Sequence, residues 1–273
     1  MNIMTIARLE LIAAIRLKWM RLLTLAFALL AGAAAYSAGA ADELVGADGF
    51  ARTTMTLVPI VLILAPLAAL VLGLSGQTAD PDGQAFLFVQ PIARTTVLAG
   101  RWLGEAAALA VALGAGLGAG GVIVATSSGV GGLGGYVLFV AAAVALAVVF
   151  VSIATAIAAA IERRATALGI GIFVWCFFVL LYDGTVLSAA GYLTGRVGGR
   201  LLFASVFGNP VDLVRISTLA WAGTPNVLGA AGDAWMRFLG GDAAAVACAI
   251  GAIVLWIAAP LGIGARMIAR RDL

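Results

Sequence analysis

The sequence predicts an all-α polytopic membrane protein with six transmembrane helices. Hydrophobic residues make up 63% of its 273 residues and charged residues only 11%, whereas a soluble domain carries about 25% charged residues. Several apolar stretches reach the roughly 20 residues that a helix needs to cross the hydrocarbon core. The chain lacks the short segments of alternating apolar and polar residues that are typical of an outer-membrane barrel.

The predicted spans follow one another along the whole chain. They run over residues 22–40, 53–74, 103–125, 135–161, 165–182 and 243–264. The first could be mistaken for a secretion signal, because AYSAGAA resembles a cleavage site. Its polar lead-in of about twenty residues, with Glu10 inside it, is long for a signal, so we expect an uncleaved helix. Pro59 and Pro66 should bend the second span.

The distribution of arginine and lysine predicts the orientation, since cytoplasmic loops carry an excess of both. Of the 16 such residues, eleven fall on one side of a six-span chain: Arg8, Arg16, Lys18, Arg21, Arg94, Arg101, Arg163, Arg164, Arg266, Arg270 and Arg271. The short connections on the other side hold only Arg52. Both termini are therefore expected in the cytoplasm, with the chain in the inner membrane. The basic pI of 9.2 then needs no nucleic-acid partner.

Glycine-rich stretches match the dinucleotide fingerprint twice. That fingerprint needs a strand before it and a helix after it, but one match lies inside a predicted span and the other in the turn that follows: Gly116, Gly118 and Gly121, then Gly129, Gly131 and Gly134. Close helix packing is the better interpretation. Gly114/Gly118 and Gly116/Gly120 have the small-xxx-small spacing of membrane helix contacts, and SSGVGGLGG is typical of a tight turn.

The usual catalytic and metal-binding residues are scarce in this sequence. Lys18 is the only lysine, and no glycine-rich loop precedes it, which excludes a nucleotide-binding P-loop. The chain has no histidine to act as a base or a metal ligand. Cys176 and Cys248 both fall within apolar spans, where packing is their usual role. We expect neither catalysis nor a metal site in this chain.

The connection between spans two and three is unusually polar and long. It reads SGQTADPDGQAFLFVQPIARTTVLAGRWLGE, and the apolar run 86–89 within it predicts a short interfacial helix that ends at Pro91. Arg94 and Arg101 can anchor the segment at lipid headgroups, and Arg101 can pair with Glu105 four residues on. Two interpretations stay open: an anchored loop, or a segment that receives force from another protein.

A second short helix is predicted in the long connection after span five. In FGNPVDLVRISTLAWAG, Asn209 is a good N-cap, Pro210 suits the first helical position, and Asp212 can complete an arrangement like a capping box. Arg215 lies three residues after Asp212. We expect this mostly apolar helix to rest on or dip into the outer leaflet, either as a lid over the spans or as a docking surface for a periplasmic partner.

Asp183 follows WCFFVLLY near the predicted outer end of span five. An ionisable residue at membrane depth is a functional candidate. Close to the interface, an exposed or capping role remains equally open for it.

Four of these stretches resemble type-2 ABC transporter permeases. IARLELIAAIRLKW resembles their N-terminal elbow, here residues 1–21, and residues 75–102 are similar to their cytoplasmic coupling segment with its Pro-[Val/Ile]-x-Arg motif. FVLLYDGTVL and NPVDLVRI resemble, more specifically, the NosY-like permeases of nitrous oxide reductase maturation. The chain departs from the pattern where Asp80 and Asp82 replace glutamates, GQA replaces Gly-Thr-Leu, Arg101 replaces a lysine, and Gly184 replaces a bulky residue.

The resemblance implies a homodimer in the lipid bilayer, bound to two cytoplasmic ABC ATPases that hold ATP and magnesium. In the NosY-like subfamily, a periplasmic β-helical protein docks outside and serves copper-cluster assembly. The coupling residues would be Asp80, Asp82, Phe86, Phe88, Pro91 and Arg94. Within the periplasmic loop, residues 184–242, the docking residues would be Asn209, Pro210, Asp212 and Arg215.

Two other functions remain open from the sequence. One is an ordinary type-2 exporter of a lipid, drug or polysaccharide, with a substrate cavity between two copies. The other is a membrane scaffold without an ATPase partner, in which changes in residues 75–105 would leave function intact.

Overall fold

The backbone is helical almost throughout in the computed structural model, which describes residues 2–40, 49–78, 93–192, 203–221 and 242–270. Within these ranges, six helices are long and apolar enough to cross a membrane. The prediction of an all-α protein with six spans is therefore confirmed.

The helices are numbered here in chain order. Helix α1 is Ile3–Arg16, α2 is Lys18–Ala40, α3 is Gly49–Thr78, α4 is Arg94–Ser128 and α5 is Leu133–Ala160. Helix α6, Arg164–Cys176, continues through a π-helical turn, Phe177–Leu181, into α7, Tyr182–Tyr192. Helix α8 is Pro210–Trp221 and α9 is Asp242–Ala269. The candidate spans are α2, α3, α4, α5, the continuous α6–π–α7 helix and α9.

Spans two, three and five extend further into the adjoining connections than the sequence predicts. Residues 75–78 still belong to α3 and residues 94–102 already belong to α4. Residues 79–92, including the predicted interfacial helix, lie outside the described residues. The fifth span does not end at Tyr182 but continues to Tyr192, so residues 184–192 are helix and not the start of a loop.

Helix α5 lies at the centre of the bundle, where it contacts α3, α4, α8 and α9. Its side chains alternate between large and small, and Leu146, Ala147, Phe150 and Ala154 are completely buried. Small residues let neighbouring helices approach, while the large ones fill the space between them. Helix α5 therefore sets the relative positions of the spans around it.

Helices α1 and α2 run along one face of α4. A Cβ added to Gly116 would lie 2.8 Å from Cβ of Phe27, so only glycine allows this close approach of α2. The contact face repeats every four residues along α4, as Gly100, Gly104, Ala108, Ala112, Gly116 and Gly120.

The two glycine pairs predicted to pack helices together have different surroundings. The Gly116/Gly120 pair contacts α2, as predicted. The Gly114/Gly118 pair faces away from that contact, and a Cβ added there would meet nothing within 4 Å among the described residues. The Gly114/Gly118 pair therefore makes no helix contact among the described residues, because the two pairs point to different sides of the helix.

Glycine also forms the turn between α4 and α5. Gly129 and Gly132 have φ angles of 80° and 76°, a backbone conformation that residues with a Cβ rarely adopt. The tight turn predicted from SSGVGGLGG is confirmed.

Among the prolines, Pro59 and Pro66 lie inside α3, which continues through both. In the turn before Pro66, the Ile63 carbonyl accepts a hydrogen bond from Trp175 Nε1 at 2.9 Å, which joins α6 to α3.

Candidate functional site

Two clusters of polar side chains connect the helices, one towards each end of the bundle. At one end of the bundle, which we call the basic end, α3 ends at Thr78 and α4 begins at Arg94. The other end, which we call the opposite end, contains the turn 129–132 and Tyr192. Most of the arginines lie towards the basic end. Each cluster joins helices that are distant in sequence, so each can relate the position of one span to another.

The cluster at the basic end centres on Gln77, and we call Gln77, Glu105 and Thr155 the Gln77 cluster. Gln77 Nε2 donates hydrogen bonds to Glu105 Oε2 at 2.6 Å and to Thr155 Oγ1 at 2.9 Å. These bonds tie the last turn of α3 to both α4 and α5. Glu105 is only 6% exposed and Thr155 is completely buried.

Arg101 does not pair with Glu105, so that prediction is wrong. Its Nη2 donates to the Gly76 carbonyl at 3.0 Å, and its Nε lies 4.0 Å from Glu10 Oε2 of α1. Arg101 and Glu105 leave α4 in different directions, one towards α1 and one into the bundle. Nearby, Trp102 Nε1 donates to Ser152 Oγ at 2.9 Å and joins α4 directly to α5.

The cluster towards the opposite end centres on Arg215, and we call Asp183, Asn209, Asp212 and Arg215 the Arg215 cluster. Arg215 Nη2 lies 3.0 Å from Asp183 Oδ2 and 2.6 Å from Asp212 Oδ1. Asn209 Nδ2 donates to Asp212 Oδ2 at 3.0 Å. The cluster joins α8 to α7, and so brings Asp183 together with three of the residues predicted to dock a partner.

The start of α8 is capped as the sequence predicts, with one difference. The Val211 N–H donates to Asn209 Oδ1 at 3.0 Å, and Pro210 occupies the first helical position. In a capping box, the acidic side chain would accept from the backbone of the cap residue. Here Asp212 accepts from the side-chain amide of Asn209 instead.

Asn209 also contacts the π-helical turn of the fifth span. Its Nδ2 donates to the Phe178 carbonyl at 2.9 Å. Single π-helical turns inside α-helices are rare and occur often at functional sites. Tyr182 directly follows this π-helical turn, and its hydroxyl donates to the carbonyl of Ser205, which precedes α8, at 2.7 Å. The irregular turn of the fifth span is therefore where α8 and the residues before it attach.

Helix α8 packs its apolar face against the other helices of the bundle, and whether it also rests on or dips into the outer leaflet stays a prediction. It contacts α3, α5, α9 and the π-helical turn, and Val211, Leu213 and Val214 are 5%, 0% and 2% exposed. The apolar pattern that suggested contact with lipid is satisfied by protein. This burial also affects the predicted docking residues: Asn209, Pro210 and Asp212 are buried, whereas the Arg215 side chain is 43% exposed. Their docking role stays a prediction.

The buried carboxyl group of Asp212 titrates at an unusual pH. Burial raises the pKa of Asp212 to about 7, and its hydrogen bond with Asp183 adds to the rise while Arg215 opposes it. The protonation state of the Arg215 cluster therefore changes near neutral pH.

The predicted coupling residues can be placed only in part. Arg94 is half-buried and begins α4, whereas Asp80, Asp82, Phe86, Phe88 and Pro91 lie outside the described residues. Local sequence patterns did not indicate a role for Gln77 or Thr155, and the i,i+4 spacing indicated the wrong partner for Glu105. One signal was available, since Glu105 is the only acidic residue between residues 103 and 125, and such residues inside a span usually have a specific partner.

Comparison with known proteins identifies the family. The profile of the ABC-2 family transporter protein matches residues 4–273, nearly the whole chain. The chain belongs to the ABC-2 family of transporters. It is also similar to the probable ABC transporter permease protein NosY of Pseudomonas aeruginosa, with 30% identity over 222 residues that cover 79% of this chain and 81% of the relative.

A second NosY relative covers more of the chain. The probable ABC transporter permease protein NosY of Stutzerimonas stutzeri is 26% identical over 274 residues, which cover 98% of this chain and 95% of that protein. The resemblance to NosY-like permeases is thereby confirmed at modest identity. The chain is a multi-pass permease subunit of an ABC-2 transporter, and membership of this family implies an ATPase partner.

Proposed function

We propose that this ABC-2 permease couples ATP hydrolysis on a separate cytoplasmic ATPase to a periplasmic partner. Two copies form a homodimer in the inner membrane, with two ATPases at the basic end and a β-helical protein at the opposite end. ATP and magnesium bind to the ATPase chains, and this chain supplies no catalytic group. The complex serves copper-cluster assembly in nitrous oxide reductase.

The observation that carries this proposal is the path of α3 through the bundle. Helix α3 ends at Thr78, directly before residues 79–92 of the coupling segment, and it contacts α8 further along its length. One continuous helix thus connects the segment on which an ATPase would act to the helix that Asn209 caps and that carries Arg215. Coupling between distant sites needs such a continuous physical connection, together with two arrangements of it.

The orientation is supported by the charges at the ends of the helices. Arg8, Arg16 and Lys18 are exposed on or next to α1, and Arg163 and Arg164 are exposed between α5 and α6. All five lie towards the basic end. Excess positive charge beside the spans favours the cytoplasmic side, which is where an ATP-hydrolysing partner operates.

The role in copper-cluster assembly rests on the resemblance of FVLLYDGTVL and NPVDLVRI to NosY-like permeases, and the two NosY relatives support it. The sequence offers no histidine, and Cys176 and Cys248 lie in α6 and α9. Copper favours imidazole, thiolate and thioether ligands. These residues suit a permease that transmits movement better than a conduit that passes copper from ligand to ligand.

Export of a lipid, drug or polysaccharide is a second candidate function. The fifth span exposes large apolar side chains along its length, among them Phe173 at 65%, Leu180 at 58% and Leu187 at 67%. Between two copies, such a surface could line a cavity for an apolar cargo. This candidate requires an ATPase but no periplasmic β-helical protein.

The deciding experiment is affinity purification of the tagged permease from its native membrane, followed by mass spectrometry. Co-purification of an ABC ATPase and a periplasmic β-helical protein supports the proposed machine. Co-purification of an ATPase alone favours the exporter. If neither protein co-purifies, the result favours a membrane scaffold.

A variant in the coupling segment sharpens the experiment. Replacing Phe86 and Phe88 with Asp should remove the ATPase from the purified complex, because charged side chains disrupt an apolar contact. The periplasmic protein should remain, since its binding site lies at the opposite end. Full retention of a functionally coupled ATPase by this variant would contradict the coupling role of residues 79–92.

A further inference from the structure

The Gln77 cluster lies at the C-terminal end of α3, just before residues 79–92 of the coupling segment. Gln77 stands in the last turn of α3, which ends at Thr78. Its amide holds α4 through Glu105 and α5 through Thr155. A displacement at Thr78 would therefore act directly on this three-helix contact.

The carboxyl group of Glu105 is tightly enclosed. Glu105 Oε1 has almost no accessible surface and no hydrogen-bond partner among the described residues. It lies against α3, where a Cβ added to Gly76 would come within 2.6 Å of it, and a Cβ on Gly73 would lie 3.6 Å from Oε2. Two glycines one turn apart thus give the carboxyl group its place against the backbone of α3.

This enclosure makes the contact resistant to sliding. If α3 shifted relative to α4, the Gln77 amide and the Glu105 carboxyl would lose their bond while the carboxyl remained buried. Buried polar groups without partners carry their full desolvation penalty. Helices α3, α4 and α5 should therefore move together at this level.

Other bonds nearby do not make the same connection. Trp102 Nε1 and Ser152 Oγ join α4 to α5 without contacting α3. Arg101 joins α4 to the Gly76 carbonyl, but its other neighbour is Glu10 on α1. Only the Gln77 cluster, among the described residues of this end, ties α3, α4 and α5 through one side chain.

We propose that Gln77 and Glu105 are positioning residues for coupling. When residues 79–92 of the coupling segment are displaced, these two side chains make α3, α4 and α5 move together. This inference rests on the proposed function, because it presumes that an ATPase acts on that segment. It adds Gln77 and Glu105 to the predicted coupling residues, and both would act through the positions of the helices.

The test uses the full permease with its ATPase, reconstituted in lipid nanodiscs. Gln77→Leu removes both hydrogen bonds at similar volume, and Ser152→Ala is the matched control because it removes a buried α4–α5 bond at the same end. We expect Gln77→Leu to lower permease stimulation of ATP hydrolysis at least about fivefold, the lower end of common coupling effects. The Kd of the ATPase complex should stay within about twofold of the unmodified protein, since the proposed role of Gln77 is to position helices and not to bind the ATPase.

Two further variants keep the test decisive if Gln77→Leu fails to insert. Thr155→Val removes one acceptor with little change in volume and should lower stimulation in the same direction. Glu105→Gln can still accept from Gln77 and should restore most of the stimulation that Glu105→Ala loses. Equal stimulation in all cluster variants, or an equal loss in Ser152→Ala, would overturn the inference. If the unmodified permease neither binds nor stimulates an ATPase, the proposed function itself fails.

Discussion

Arg215 of α8 donates a hydrogen bond to Asp183 of the fifth span at 3.0 Å, across 32 positions of the sequence. The same guanidinium contacts Asp212 at 2.6 Å. An aspartate in a membrane helix usually needs a partner of this kind. The pairing explains why an acidic residue follows the apolar run WCFFVLLY, and it fixes α8 against the fifth span.

Removing the Arg215 side chain should loosen α8. Arg215→Met leaves two carboxyl groups close together without a cation, and hydrogen bonds to charged groups contribute about 1.5–3 kcal/mol each. Because the side chains of Arg215 and Asp183 are about half exposed, we expect the lower end, about 1–2 kcal/mol. Thermal denaturation in detergent measures the loss, with exposed Arg164→Met as the control. An Arg215→Met/Asp183→Asn double variant should lose less than the sum of the single losses, and strict additivity would argue against the pairing.

Stability should depend on pH through Asp212. The folded-state pKa of about 7 lies above the value of about 3.9 for an unfolded aspartate, so the folded protein binds the extra proton between these values. This contribution to stability is fully present below about pH 4 and is lost as the pH rises towards 7. Melting temperatures measured from pH 5 to pH 8 should therefore fall in the unmodified protein, and Asp212→Asn should flatten the slope. An unchanged slope in Asp212→Asn would place the titrating group elsewhere.

Substitutions of Asn209 should not follow the usual order of N-caps. Asp caps helices about as well as Asn, but Asn209 also donates through Nδ2 to the Phe178 carbonyl and to Asp212. Asn209→Asp removes that donor and places a carboxyl group beside another. We expect it to cost at least as much as Asn209→Ser, about 1–2 kcal/mol. The measurement is thermal stability together with amide exchange in residues 210–221. If Asn209→Asp were as stable as the unmodified protein, the bond to the π-helical turn would contribute nothing.

Neighbouring glycines in α4 should respond differently to alanine. Gly116→Ala brings a methyl group against Phe27 and should separate α2 from α4, at a cost of about 1–3 kcal/mol for overpacking. Gly118→Ala, two residues away, meets no described residue and should be neutral or gain up to about 1 kcal/mol from helix propensity. Comparison of the two melting temperatures checks this, and equal losses would contradict the packing of α2 on α4.

Local sequence patterns predicted the spans and the start of α8, because both depend on neighbouring residues. A long apolar run needs no partner to be recognised, and Asn209–Pro210 is a cap wherever it occurs. The same patterns could not show that α8 is buried, since an apolar face fits lipid and protein equally well. Contacts with α3, α5 and α9 decide the matter, and these involve residues far away in the sequence.

The wrong partner assigned to Glu105 has a related cause. The i,i+4 spacing to Arg101 favours a local pair, but such pairs contribute only about 0.3–0.5 kcal/mol. The Gln77 amide competes from 28 positions away and reaches Glu105 inside the bundle at 2.6 Å. The π-helical turn is likewise invisible in the sequence, because FFVLL is compatible with an ordinary α-helix. Both features become apparent only once the helices are packed.

Movement at the coupling segment is expected to reach α8. Hydrogen–deuterium exchange of the complete complex, with and without ATP trapped on the ATPase, tests it most directly through the amides of residues 210–221. We expect trapped ATP to change the rate of amide exchange in α8. The Gln77→Leu variant should show a smaller change while it still allows ATP to bind. Changes confined to the basic end, with α8 unaffected during ATP turnover, would contradict this expectation.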